Sequence, residues 1–294
     1  MKNIQIEKIS NEFEGGGALL SAKTNTLKLN DLNKESINKL FFEKGLILFN
    51  NFKANPIDFF NFTKKFTTHY SNDALRRKER FDNKVLRSVD LGNEKVPLHS
   101  ESSFTVTRPQ IIWFMCVNPP KINDGGETII CDGSKLWEKL SPSCKNFFKA
   151  EPVEYNVKIN LDNKKKGIKK KWFLNYPGIY NEFLDLNRNV MTFKYKTFAV
   201  EKSYFNSKLF FCNHLLSVPD EDQITKVSYK SKTIPKKYFE EINNVSEKIT
   251  YSHIWKKNQI LMIDNHRFMH GRNKIFKKSK RDIINAQTLV ANLL

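Results

Sequence analysis

Apolar positions in this chain gather into short runs. Most runs show the two-residue alternation, or the unbroken β-branched and aromatic character, of strands. Leu46–Phe49, Val85–Val89, Gln110–Val117, Ile129–Cys131, Gln259–Asp264 and Asp282–Ala291 predict strands of this kind. Residues 152–200 alternate and are rich in valine and aromatics, which predicts hairpins, and Leu209–Leu216 is a further apolar segment. Helical spacing is confined to a few stretches. Ile37, Leu40 and Phe41 give Asn33–Lys44 an apolar stripe, and Gly45 supplies its stop. Asn55-Pro56 reads as cap and first turn of a helix running through Phe59, Phe60 and Phe66 to about Thr67. Further helices are predicted at Ser134–Leu140, at Pro142–Ala150 behind a Ser141 cap, and at Pro235–Ile249 with Tyr238, Ile242 and Val245 on one stripe. Residues 1–30 form an irregular or strand-like lead-in broken at Gly15-Gly16-Gly17. No repeat or linker divides the chain. One mainly β domain with flanking helices is expected over residues 1–294, with a basic loop insertion around 158–171 whose lysine-rich part, 163–171, caps a hairpin.

The chemistry-bearing residues sit beside the apolar runs. Pro97–Thr128 opens with His99-Ser100-Glu101 and closes with Gly125-Gly126-Glu127-Thr128. In extended backbone, residues two apart share a face, so His99 and Glu101 can aim an imidazole and a carboxylate at one point. Two such ligands suit iron(II), and a second histidine would complete a facial 2-His-1-carboxylate set. Alone, H-x-E also describes the wet face of a half-exposed strand. Downstream, Ile260–Asn265 is a second apolar run that leads into His266-Arg-Phe-Met-His270-Gly-Arg272, and Arg281 follows eleven residues after His270. His266 and His270, four apart, could pair on a helix as in zinc proteases, but the glutamate of H-E-x-x-H is missing and the segment follows a strand.

These elements together, H-x-[DE], G-G-[DE]-T, D-N-x-x-x-x-H-G-R and an arginine eleven residues on, resemble the taurine dioxygenase group of iron(II)/2-oxoglutarate dioxygenases from about Leu46 to Leu294. Glu101 and the phrase RPQIIWFMCVNPP…GGETIICDG are similar to the clavaminate synthase-like branch. The resemblance implies that His99, Glu101 and His270 bind iron(II). Arg281 and Thr128 would hold the far carboxylate of 2-oxoglutarate, and O2 would be consumed in hydroxylating or desaturating an unactivated C–H bond. Arg272 is expected to brace the metal loop. Glu101 argues against halogenation, for which related enzymes carry a small residue there. Asn285 stands where taurine dioxygenase has a second arginine near its sulfonate, which argues for a small polar substrate of amino-acid type, free or carrier-tethered. Asn285 and Phe104 are expected to line the substrate pocket, with Asn213-His214 as a weaker pair. His69, His214 and His253 are expected to be structural or at the surface. The dominance of short strands suits a double-stranded β-helix, a jelly roll whose open mouth would bring His99 and His270 together.

Composition adds limits. Hydrophobic residues at 39%, aromatics at 13% and 24 phenylalanines support a real core. No apolar run reaches membrane-spanning length and the N-terminus has no signal-peptide centre, so a cytoplasmic protein is expected. The four cysteines lack C-x-x-C spacing and read as buried small hydrophobes. The formal charge of +19 gathers at Lys158–Lys171, Lys226–Lys237 and Arg272–Arg281. Solvated lysine-rich loops are the favoured explanation. The alternatives are docking of an acidic carrier protein, or a basic nucleic-acid-binding protein on a jelly-roll scaffold.

Overall fold

Two sheets face one another across an apolar layer in the computed structural model, which describes residues 3–71, 77–89, 92–160, 179–185, 190–220, 224–277 and 280–293. The larger has nine strands. Its main path runs Ile4–Lys8, Ala18–Ala22, Leu46–Asn50, Ile260–Asp264, Ile111–Asn118, Asp282–Ala291, Asn83–Ser88 and Glu79–Arg80, and Thr67–Tyr70 also pairs with Asp282–Ala291. All pairings are antiparallel except Ala18–Ala22 against Leu46–Asn50. The smaller sheet is antiparallel, in the order Tyr251–His253, Thr128–Asp132, Phe268–Arg272, Val96–His99.

Side-chain alternation sorts the core into layers. Ile112, Phe114 and Cys116 point between the sheets, where they meet Ile130 and Phe268. Trp113 and Met115 point to the outer face, under the helices Lys34–Lys44 and Pro56–Lys64. The Phe62 ring stands edge-on to Trp113 at 6.0 Å. Asn33 caps the first helix and Gly45, at φ 69°, stops it by donating to Phe41 O. Asn55 and Asp58 form a capping box on the second, with Pro56 in the first turn. That helix ends at Lys64 rather than near Thr67. Thr67 instead pairs with Ala291, so the ladder takes the backbone that the helix would have used.

A third layer covers the outer face of the smaller sheet. Ile129, Cys131 and Met269 pack there against the helices Gly133–Lys139, Pro142–Ala150 and Lys236–Ile249. Behind these lies an antiparallel sheet of Ile179–Asp185, Val190–Thr197, Val153–Asn160 and Ile224–Tyr229. The hairpin expectation for 152–200 is met by these strands, while 163–171 lies outside the described residues. Only the first part of Leu209–Leu216 is strand, paired as Asn206–Phe211 with Val200–Ser203. All four cysteines are buried free thiols, and burial pushes Cys116, Cys144 and Cys212 up to about 12. Among the described residues, no helix is long and apolar enough to cross a membrane.

Candidate metal centre

His99 ends its strand and His270 sits in the middle of its own, and the antiparallel register sets the two directly opposite. The approach is close. A Cβ on Gly271 would stand 2.4 Å from Val96 O and 2.9 Å from Pro97 O, so glycine is what lets the two strands meet at this spacing. Glu101 follows in a tight turn through Ser102 at φ 52°. The turn is clamped by Asn265, which is fully buried. Its Oδ1 accepts from Glu101 N at 2.9 Å, and its Nδ2 donates to Glu101 O at 3.0 Å and Pro109 O at 2.8 Å. Arg108 adds bonds from its guanidinium to Ser100 Oγ at 3.0 Å and to the Cys212 and Asn265 carbonyls at 2.9 Å, and it pairs with Glu201.

The three side chains converge. One donor atom from each of His99, Glu101 and His270 lies within 4.8 Å of the others. Glu101 Oε2 is 3.9 Å from each Nε2. Donors bound about 2.1 Å from a shared ion lie within about 4 Å of one another, so small side-chain adjustments let this group share one. His99 Nδ1 lies 2.9 Å from Pro97 O, which fixes its proton there and leaves the Nε2 lone pair facing the cluster. Burial would raise the Glu101 carboxyl, but the Arg77 guanidinium and both imidazoles outweigh it and hold it down to about 2. Burial, then the neighbouring His214, lowers His99; burial, then His99, takes His270 well below the usual range. An ionised carboxylate and two neutral imidazoles are the states a divalent cation requires.

Thr128, Arg272 and Arg281 line the same cleft as the triad. Arg281 donates from Nε to Gly126 O at 2.9 Å, and Gly126, at φ 79°, has no side chain to collide with Ile275 and the arginine stem. Burial, then Arg272, lowers Arg281 to about 10, well above neutrality, so it stays a cation. Thr128 Oγ1 accepts from Trp255 Nε1 at 2.9 Å, leaving its own O–H to donate elsewhere. Arg272 donates to Glu94 O at 2.7 Å and so ties the segment before the His99 strand to the strand of His270, the bracing expected of it. Neither arginine belongs to a surface patch. Elsewhere Lys194, Lys230 and Lys236 are paired with Glu154, Glu151 and Glu240.

The other expected site residues are distributed differently. His266 turns away from the triad, its Nδ1 3.5 Å from Glu201 and its ring against Tyr204. Phe104 is not on the cavity wall. Its ring is buried in the outer core at 4.7 Å from His214, because the turn after Glu101 rotates it away from the cleft. His214 backs His99 at 5.2 Å between ring centroids, and Asn213 closes a local turn through Ala199 O and Leu215 N. His253 is buried against Trp255. Asn285 is fully buried one step along the strand face from Ile283, which does line the cleft. Sequence reasoning missed Arg77, whose Nη2 contacts both Glu101 oxygens at 3.1 and 3.2 Å. It also missed Trp255 and the clamping role of Asn265, although Asn265 stood in the quoted motif.

Residues 12–287 match the Taurine catabolism dioxygenase TauD, TfdA family. The chain is similar to 3-((Z)-2-isocyanoethenyl)-1H-indole synthase of Fischerella ambigua, at 22% identity over 195 residues, 65% of this chain and 62% of that relative's length. The chain thus spans under two thirds of that relative. Its fold is similar to that of PvcB from Pseudomonas aeruginosa, with TM-score 0.67 and 13% identity over 97% of this chain and 91% of the other. A structure of PvcB as an Fe, alpha-ketoglutarate dependent oxygenase from an isonitrile synthetic pathway gives TM-score 0.64 at 13% identity, over 97% and 91% of the two chains.

Proposed function

The chain belongs to the Taurine catabolism dioxygenase TauD, TfdA family, and from that premise we propose that it is an iron(II)- and 2-oxoglutarate-dependent oxygenase acting on an unactivated C–H bond of a small polar substrate of amino-acid type. The observation that carries this reading is the convergence of His99, Glu101 and His270 in one cleft with Arg281 and Thr128. The two facing sheets, taken as a double-stranded β-helix within one domain, supply the mouth at which they meet. In this reading the triad holds the ion by two neutral nitrogens and one ionised oxygen. Arg281 offers a planar fork to the far carboxylate of the co-substrate, where two-point geometry favours a guanidinium. Thr128, oriented by Trp255, donates its hydroxyl to the same carboxylate. When bound, iron and 2-oxoglutarate supply the oxidative decarboxylation that drives hydroxylation or desaturation. Asn265 and Arg108 keep the H-x-E turn in register without touching the reactants. The isonitrile chemistry named for the relatives supports a nitrogen-bearing substrate, and four buried thiols support a reducing cytoplasm.

The test is succinate release from 2-oxoglutarate by the purified protein. It is expected to require iron(II) and O2 and to vanish in His270→Ala. Release that persists without added iron in that variant would overturn the reading.

A further inference from the structure

The cleft contains a cation that the oxygenase reading does not use. Arg281 is taken by the co-substrate and Arg272 holds a backbone carbonyl, but Arg77 is committed only through Nη2, to the two oxygens of Glu101. Its Nε and Nη1 make no hydrogen bond among the described residues, and its side chain keeps 24% of its exposure. The backbone beside it is fixed: Arg77 O accepts from Arg87 Nη1 at 3.4 Å, and Lys78 O from Ser88 N at 2.9 Å. A guanidinium cannot shed its proton in a protein. Once a dication shares Glu101, the single charge of that carboxylate no longer balances both neighbours, and the unused edge of Arg77 is available to an anion. A dianionic co-substrate bound through Arg281 leaves the cleft net positive.

A second observation lies behind this wall, on the strand that carries Ile283. The carboxamides of Asn285 and Gln287 are buried, and both polar atoms of each lack hydrogen-bond partners among the described residues. Both share a strand face with Ile283, which lines the cleft, and Asn285 stands opposite Arg87 in the ladder. Buried polar groups without partners cost stability unless a ligand completes them.

Resting on the oxygenase reading, we propose that Arg77 anchors the carboxylate of the substrate, with the Asn285 and Gln287 amides completing the polar wall beside it. The substrate is then a free acid. A carrier-tethered acyl group, whose carboxylate is consumed in the thioester, cannot make this contact.

The experiment uses the full chain loaded with Mn(II) and 2-oxoglutarate, so that binding is read without turnover. Free amino acids and their N-acetyl derivatives are screened by thermal shift and then calorimetry, each alongside its primary amide. Acids are expected to bind at least tenfold tighter than their amides. Arg77→Gln is expected to lose that preference while still binding Mn(II) and 2-oxoglutarate, and Lys236→Gln, which removes a charge from an exposed helix, is expected to keep it. Amides binding as tightly as acids, Arg77→Gln retaining wild-type affinity for the acids, or no acid binding to the loaded protein would each overturn the anchor. Failure of the wild type to bind Mn(II) and 2-oxoglutarate would strike the oxygenase reading first, and is a separate readout.

Discussion

The strand Ile111–Asn118 of the larger sheet and the strand Phe268–Arg272 of the smaller one face one another across the interior, yet they bury different chemistry. From Ile111 to Cys116 the first carries only hydrocarbon, aromatic rings and sulfur, and it feeds the layers on both of its faces. The second is just as buried but carries His270, Gly271 and Arg272. A buried polar strand is tolerable only where each group finds a partner or a ligand. Here Arg272 finds the Glu94 carbonyl, and His270 turns Nε2 toward Glu101 in the cleft. Stability should therefore reside mainly in the larger sheet and chemistry in the smaller, and the two should come apart under mutation.

The largest expected separation is at the triad. His99→Ala, Glu101→Gln and His270→Ala should each reduce succinate release to background while the melting temperature stays near that of wild type. A collapse of the fold in all three would mean that the smaller sheet is structural after all. Trp113→Ala should do the reverse. Emptying the space between Phe62 and Phe66 is expected to cost about 3–5 kcal/mol in chemical denaturation, with the metal affinity of the folded fraction unchanged.

Burial gives the polar side an acid weakness. His253 and His266 are each lowered to about 4, mainly by desolvation. Their folded values lie below the unfolded value near 6.5, so protons bind the unfolded chain more readily. The stability they contribute is present above pH 6.5 and is lost as pH falls from there toward 4, by roughly 3 kcal/mol for each. Asp264, raised to about 6 by burial, acts in the opposite sense over part of that range. Denaturation midpoints from pH 7 to 4 should fall, and His253→Gln should flatten the slope. The smallest expected effect is that of Trp255→Phe. Removing the indole N–H from Thr128 should weaken 2-oxoglutarate binding several-fold, corresponding to about 1 kcal/mol, and leave metal affinity intact.

What the sequence made legible follows the same division. Strands of the larger sheet carry continuous apolar runs, and Gln110–Val117, Gln259–Asp264 and Asp282–Ala291 were readable from pattern alone. Val96–His99 and Phe268–Arg272 were not, because functional polar residues interrupt the alternation that identifies a strand. His99, Glu101, His270 and Arg281, which line one cleft, are singled out by motif spacing. Gly271 and Asn265 stood in those motifs as letters, but their purposes, close strand approach and a clamp on the H-x-E turn, are properties of contacts across the fold. Arg77 lies 22 residues before His99 in a stretch without periodicity, so nothing local marked it. Phe104 lies outside the lining of the triad's cleft, since nearness in sequence to Glu101 does not fix the direction of a side chain beyond a turn.

The most direct test is an anaerobic titration of the protein with iron(II) and 2-oxoglutarate, followed by the absorption of the bound complex. The account predicts one ion and one co-substrate per chain, no ion in His99→Ala or His270→Ala, and retained ion but much weaker co-substrate in Arg281→Met. An ion that binds equally well without either histidine, or a co-substrate indifferent to Arg281, would contradict it.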